Sequence, residues 1–219
     1  MISKRLLDVA KYIKSEDLIA DIGCDHALLD IYLIKEKNLK KIIVSDVNQN
    51  ALNNAILNIK NNNLEDKITA VLSDGIKNIN INKINTLVIS GMGSINIIKI
   101  LKDIKKYKSI NKIVIQSNND HYYLRKFMVN NGYYINSESL VKDKGLNYIT
   151  IEFIRGYKLY FDMQYTYGPH IMNNKDYLWY FEELLKSYNI LVNLVPKNKH
   201  KVIDKKIKKV MLIIKKLKN

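Results

Sequence analysis

Between Leu18 and Leu33 the chain passes from an apolar run (Leu18, Ile19, Ala20) through Asp21-Ile22-Gly23-Cys24-Asp25-His26 into helix-forming sequence from Ala27 onward. The run ends in an acid, a glycine permits a turn, and a helix begins. That order spells strand, tight loop, helix, the unit that in open α/β sheets presents a ligand to backbone N–H groups at the head of the helix.

The same alternation repeats down the chain. Apolar residues at Leu6, Leu7, Val9, Ala10 and Ile13 fall at helical spacing, with Ser3 placed to cap them. Strands are expected over residues 18–22, 41–46, 68–72, 86–90 and 112–116, and helices over 27–37, after Asn48, from Ser94 to about Lys106, and over 121–130. Strands and helices alternating in this way predict a parallel, doubly wound α/β sheet with helices on both faces. After Gly132 the pattern changes, because the strand-like runs 133–140 and 146–155 leave no room for a helix between them. They are expected to pair as an antiparallel edge hairpin, which suits a Rossmann-like class I methyltransferase sheet better than a dehydrogenase.

Residues 157–174 hold Tyr157, Tyr160, Phe161, Tyr165, Tyr167 and Gly168-Pro169, and read as a connector. Beyond it Leu178, Phe181, Leu185, Tyr188, Val192 and Val195 recur at spacings of 3 and 4, and after Pro196 so do Ile203, Ile207, Val210, Ile214 and Leu217. Two such seams joined by a short turn predict an antiparallel coiled-coil hairpin. The expected division is a Rossmann-like domain over 1–156, a connector over 157–174 and a basic helical hairpin over 175–219, and the lysines of its second arm, Lys197 to Lys218, face only Asp204 as counter-charge.

With 36 basic and 21 acidic residues the formal charge is +15, a field that favours polyanions. A composition rich in lysine, asparagine and isoleucine raises charge in the same direction without any selected partner. The apolar runs fall far short of the roughly 20 residues that cross a bilayer, and Met1 leads into charged sequence, so a soluble, cytoplasmic protein with no membrane partner is expected. One cysteine, Cys24, permits no intramolecular disulfide, and His26, His121, His170 and His200 are too scattered to suggest a metal site. A monomer is the expected state.

Asp21, Asp46 and Asp74 close three successive strands at the carboxyl edge, where ligands bind in such sheets. Asp46 occupies the place of the acid that accepts from the ribose hydroxyls of an adenosine ligand, and Asp74 can accept from an adenine amino group. Gly23 stands alone where a dinucleotide fingerprint has three glycines, and Asp25 at the loop mouth would repel a diphosphate. S-adenosyl-L-methionine (SAM) carries an α-ammonium and a sulfonium, so an acid-rich pocket suits it. Gly91-Met92-Gly93 either brings such a ligand close to the backbone or serves as an ordinary strand-to-helix turn. Gln116-Ser117-Asn118 offers amide donors and acceptors at the same edge.

Ser3-Lys4-Arg5-Leu6, Asp21-Ile22-Gly23-Cys24-Asp25-His26-Ala27, Ser73-Asp74-Gly75, Gly91-Met92-Gly93, Gln116-Ser117-Asn118, Tyr148 and Gly168-Pro169 resemble the bacterial tRNA (adenine-22-N1)-methyltransferases, the TrmK family, through nearly the whole chain. The resemblance implies a SAM-dependent enzyme that methylates N1 of adenine 22 in tRNA, with the helical tail engaging the RNA. It implies SAM at Asp21, Gly23, Asp46, Val47, Ser73, Asp74, Gly75, Gly91 and Met92. Substrate would be met by Arg5, His26, Gln116, Asn118 and Tyr148, and by Lys205, Lys208 and Lys209 of the tail. Asp25 is the candidate catalytic residue, orienting the amino group of the target adenine. Four positions depart from the family pattern: Cys24 replaces a serine, Ser94 a glycine, Ser117 the proline of Q-P-N, and Ile149 a glutamate. A SAM-binding, non-catalytic RNA-binding or regulatory protein is the alternative reading.

Overall fold

The β-branched runs become the strands of one sheet in the computed structural model, which describes residues 2–219. They are β1 (Ile19–Ile22), β2 (Ile42–Asp46), β3 (Ile68–Leu72), β4 (Thr86–Met92), β5 (Lys112–Ser117), β6 (Tyr133–Asp143) and β7 (Leu146–Arg155). Their order across the sheet is β3-β2-β1-β4-β5-β7-β6. The first five run parallel, and β7 lies antiparallel to both β5 and β6. The reversal follows from chain length: a parallel crossover needs a dozen or more residues, and only Lys144-Gly145 separate β6 from β7. The sheet is therefore a Rossmann-like, mostly parallel sheet with an antiparallel edge hairpin.

Around it stand α1 (Lys4–Ala10), α2 (Leu28–Lys37), α3 (Gln49–Asn61), α4 (Ser94–Ile100) and α5 (His121–Asn130). Ser3 caps α1 through its Oγ, which accepts from the Leu6 N–H at 3.3 Å. Asn48 caps α3, its Oδ1 accepting from the N–H groups of Asn50 and Ala51 at 2.8 and 3.4 Å. The single helix expected from Ser94 to about Lys106 is instead broken. α4 stops at Ile100 and a 3-10 turn follows over Ile104–Lys106, with Leu101 and Ile104 both fully buried. A buried ion pair, Arg125 Nε to Glu138 Oε1 at 2.6 Å, ties α5 to β6.

The chain divides into two compact units, Met1–Leu159 and Tyr160–Asn219. The second contains α6 (Asp162–Tyr167), 3-10 turns at Ile171–Asn173 and Lys175–Tyr177, α7 (Leu178–Leu194) and α8 (Lys197–Lys218). Val195-Pro196 joins α7 to α8, and the two helices pack on one another as a hairpin. At 1.5 Å per residue its arms are about 26 and 33 Å long. Phe181 of α7 and Ile203, Val210, Ile213 and Leu217 of α8 are buried. Ile213 takes the inward place that the 4-3 spacing gave to Ile214, which is half-buried. The Tyr167 ring lies 6.1 Å from that of Phe181, so part of the segment read as a connector folds onto the hairpin. The tail lysines also have more counter-charges than Asp204. Lys209 Nζ lies 3.0 Å from Asp162 Oδ2, and Lys218 Nζ 2.9 Å from Glu182 Oε1. No helix among the described residues is long and apolar enough to cross a membrane.

Candidate active site

The loop after β1 is fastened from two sides. The N–H groups of Gly23 and Cys24 both donate to Ser45 O of β2, at 2.7 and 3.0 Å, and Asn58 of α3 donates its side-chain amide to His26 O at 3.0 Å. Within five residues Gly23, Asp25 and Ala27 all take positive φ, of 79°, 50° and 52°. Left-handed backbone at two non-glycine residues is costly. The fastening bonds hold the loop there. Over Gly23 lies the Met92 side chain, so close that a Cβ on residue 23 would stand 2.0 Å from Met92 Cε.

Two cavities open at the carboxyl edge of the sheet. One, of about 470 Å³, is bordered by Arg5, Asp21, Asp25, His26, Ser90 and Gly91. The other, of about 380 Å³, is bordered by Val47, Ser73, Asp74, Gly75, Asn96 and Ile100. Gly23, Asp46 and Met92 border both. All nine residues expected to meet SAM thus line this divided cleft, with Met92 as the divider.

The acids differ in their surroundings. Asp46 Oδ1 accepts from the Asn48 N–H at 2.8 Å, which aims the carboxylate across the head of α3. Asp74 is exposed and paired with Lys77 at 2.5 Å, which holds its carboxyl below the usual range. Asp21 is buried beside Asp30 of α2, and burial pushes its carboxyl up to about 7. Burial and then the Asp21 charge raise Asp30 as well. Asp30 does not stand out by its spacing in the sequence. Its signal was an acid among the inward residues Leu29, Ile31 and Leu33 of an otherwise apolar helix start. Cys24 is buried near these acids, which pushes its thiol up and makes it a packing residue rather than a nucleophile.

On the other wall Arg5 is locked in place. Its Nη1 donates to Gln116 Oε1 at 2.6 Å and to Ser90 Oγ at 3.2 Å, and its guanidinium stands 5.7 Å from the centre of the Tyr148 ring. Gln116 Oε1 also accepts from the Gly91 N–H at 3.1 Å, and Asn118 Nδ2 donates to Gly91 O at 2.8 Å. Gly91 has φ +84°, and a Cβ there would sit 3.0 Å from Arg5 Nη1. Gln116 is fully buried, so its amide organises Arg5 and Gly91 instead of facing a ligand. Arg5 and His26 border the cavity; Gln116, Asn118 and Tyr148 stand behind or beside Arg5. The Asp25 side chain is 70% exposed, with His26 Nε2 3.6 Å from its Oδ1.

A family model described as a methyltransferase domain matches residues 2–151. A Mycoplasma genitalium protein named as a candidate tRNA methyltransferase is 36% identical over 214 residues, 93% of each chain. The solved structure of M. capricolum TrmK with S-adenosyl-homocysteine is 31% identical, covers 99% of both chains and superposes with a TM-score of 0.87. The chain belongs to the TrmK family of methyltransferases. The tRNA (adenine(22)-N(1))-methyltransferase of Bacillus subtilis is a more distant relative, 27% identical over 148 residues, 67% of this chain and 62% of that one.

Two of the departures from the TrmK pattern meet in space. Ser94 Oγ and Ser117 Oγ are 2.8 Å apart, and Ser117 Oγ also donates to Asn119 O at 2.9 Å. Ile149 is buried in β7 opposite Ser117, where an aliphatic side chain packs within the sheet. In the second unit Lys205 and Lys208 are exposed on α8, while Lys209 is half-buried by its pairing with Asp162.

Proposed function

We propose that this TrmK-family protein transfers the methyl group of SAM to N1 of adenine 22 in tRNA. The observation that carries the reading is the cleft at the sheet edge, where a bare Gly23 and the carboxylates of Asp46 and Asp21 stand around two joined cavities. These residues fit the cofactor: Asp46 can accept from two ribose hydroxyls, Val47, Ser73, Asp74 and Gly75 border the space for an adenine, and Asp21, Gly91 and Met92 border the space for the amino-acid end. When bound, SAM supplies a methyl group on a positively charged sulfur.

The protein's own work is positioning. Arg5, held by Gln116 and Ser90, presents a flat cation and its remaining donors to the larger cavity, a surface on which an extruded base can stack. Asp25 accepts from the exocyclic amino group of that base and takes up the proton it sheds, with His26 beside it. The unit over Met1–Leu159 carries this chemistry, and the unit over Tyr160–Asn219 meets tRNA phosphates through Lys205, Lys208 and Lys209 of its hairpin. The enzyme works as a cytoplasmic monomer.

The deciding experiment incubates the protein with methyl-labelled SAM and unmodified tRNA, and maps the product nucleoside. N1-methyladenosine at position 22, absent when that base is changed to guanine, is expected. SAM binding without any methyl in RNA would favour the non-catalytic alternative.

A further inference from the structure

Below the loop, Asp21 of β1 and Asp30 in the first turn of α2 meet where water is shut out. Asp21 is 5% exposed and Asp30 0%. Asp21 Oδ1 and both Asp30 oxygens have no hydrogen-bond donor, yet the two carboxyls lie within hydrogen-bond reach of each other. Two ionised carboxylates cannot share such a place without a large penalty; one proton between them removes a charge and supplies the missing donor. The surroundings decide which acid keeps it. Asp30 is wholly enclosed, whereas Asp21 borders the larger cavity, where a ligand can meet its charge.

We propose that Asp30 is a positioning residue that stays protonated and donates to Asp21, so that Asp21 presents its charge to the ammonium group of the cofactor. The inference rests on the SAM-binding reading above and adds to it a residue and a linked proton. In the free protein burial and the Asp46 carboxylate from β2 oppose ionisation of Asp21. Cys24 beside it is a neutral thiol, Arg5 and Lys144 border the same cavity, and Asp25 and His26 stand at its mouth. An arriving ammonium reverses the balance. The proton leaves Asp21 for the solvent, the Asp30 hydroxyl remains as donor, and no other bond changes.

The test is calorimetric titration of the full-length protein with S-adenosylhomocysteine, which keeps the ammonium group, in buffers of unlike ionisation enthalpy between pH 6 and 8.5. Release of about half a proton per ligand near pH 7, fading toward pH 8.5, is expected. Asp30→Asn keeps a donor and should bind within about threefold of the wild type, whereas Asp30→Leu should bind at least about tenfold more weakly. Binding without proton release over this range, or equal weakening by both substitutions, would overturn the proposal. The proton count in the wild type decides the matter even if Asp30→Leu does not fold. A wild-type protein that fails to bind S-adenosylhomocysteine at all would instead refute the SAM-binding reading.

Discussion

Gly23→Ala tests how the cofactor loop is built. At φ +79° an alanine gives up roughly 1–2 kcal/mol relative to its preferred backbone. Its Cβ would also stand 2.0 Å from Met92 Cε, a distance at which something must move. The atom in the way is the end of a flexible side chain, so the clash is relieved by forcing Met92 off its rotamer for about 0.5–1.5 kcal/mol. Together the two effects amount to about 2–3 kcal/mol, and in a chain of this size each kcal/mol lowers Tm by roughly 2–4 °C. Thermal unfolding followed by circular dichroism should therefore fall by about 5–10 °C. The Gly23→Ala/Met92→Ala pair separates the causes, because removing the Met92 side chain relieves the clash and leaves the backbone cost. A thermodynamic cycle over the two sites should show about 1 kcal/mol of favourable coupling. A Tm within 1 °C of wild type, or strictly additive effects, would refute the account of Met92 seated on a bare glycine.

Arg125→Met should cost about 3–5 kcal/mol by breaking the buried ion pair with Glu138, and Arg125→Met/Glu138→Leu should recover much of it; urea denaturation measures both. His121 is held at about 4 by burial and by Arg125. The unfolded chain binds a proton there near pH 6.5 and the folded one does not, so stability should fall as pH drops from 6.5 toward 4, and His121→Gln should flatten that part of a Tm-against-pH profile. Lys205→Gln with Lys208→Gln should weaken tRNA binding without changing affinity for S-adenosylhomocysteine, and should reduce the slope of log K against log salt by roughly 0.7–0.9 per lost phosphate contact. A slope unchanged in filter-binding assays would remove these lysines from the interface.

What the sequence made legible was local. The strand-loop-helix unit, the acids at Asp21, Asp46 and Asp74, and the edge hairpin are each encoded within a few residues, and the sheet order brings those acids to neighbouring strands because β3, β2 and β1 are adjacent. What it hid was set by register and burial. Arg5 and Gln116 are 111 residues apart. They share a hydrogen bond because β4 and β5 place Ser90 beside Gln116 and α1 packs against β5, within reach of both through the Arg5 side chain. Asp30 read as one more polar residue in a helix of low amphipathicity, since nothing in its spacing says that the face it occupies is closed to water. The break after Ile100 was equally invisible, because Ile97, Leu101 and Ile104 keep helical spacing straight across it.

Ser94 and Ser117 carry the argument furthest. Taken singly along the sequence, each is a departure from the TrmK pattern, a glycine lost in one place and a proline lost in another, and each weakens the match. In the structure they are a single change. Met92 pairs with Ser117 in the β4–β5 register, which sets the start of α4 against the end of β5, and the two hydroxyls meet at 2.8 Å with both residues almost wholly buried. A buried hydroxyl without a partner is costly. Ser94 opposite a proline would face a residue with no N–H and no hydroxyl, and Ser117 opposite a glycine would lose its nearest side-chain partner. Each hydroxyl keeps a backbone acceptor within reach in Asn119 O, and with one proton apiece one serine donates to that carbonyl while the other donates to its neighbour. The turn they form lies behind Gly91 and Met92, the residues that border the cleft. The paired serines therefore tie the start of α4 to the end of β5 directly behind the cleft.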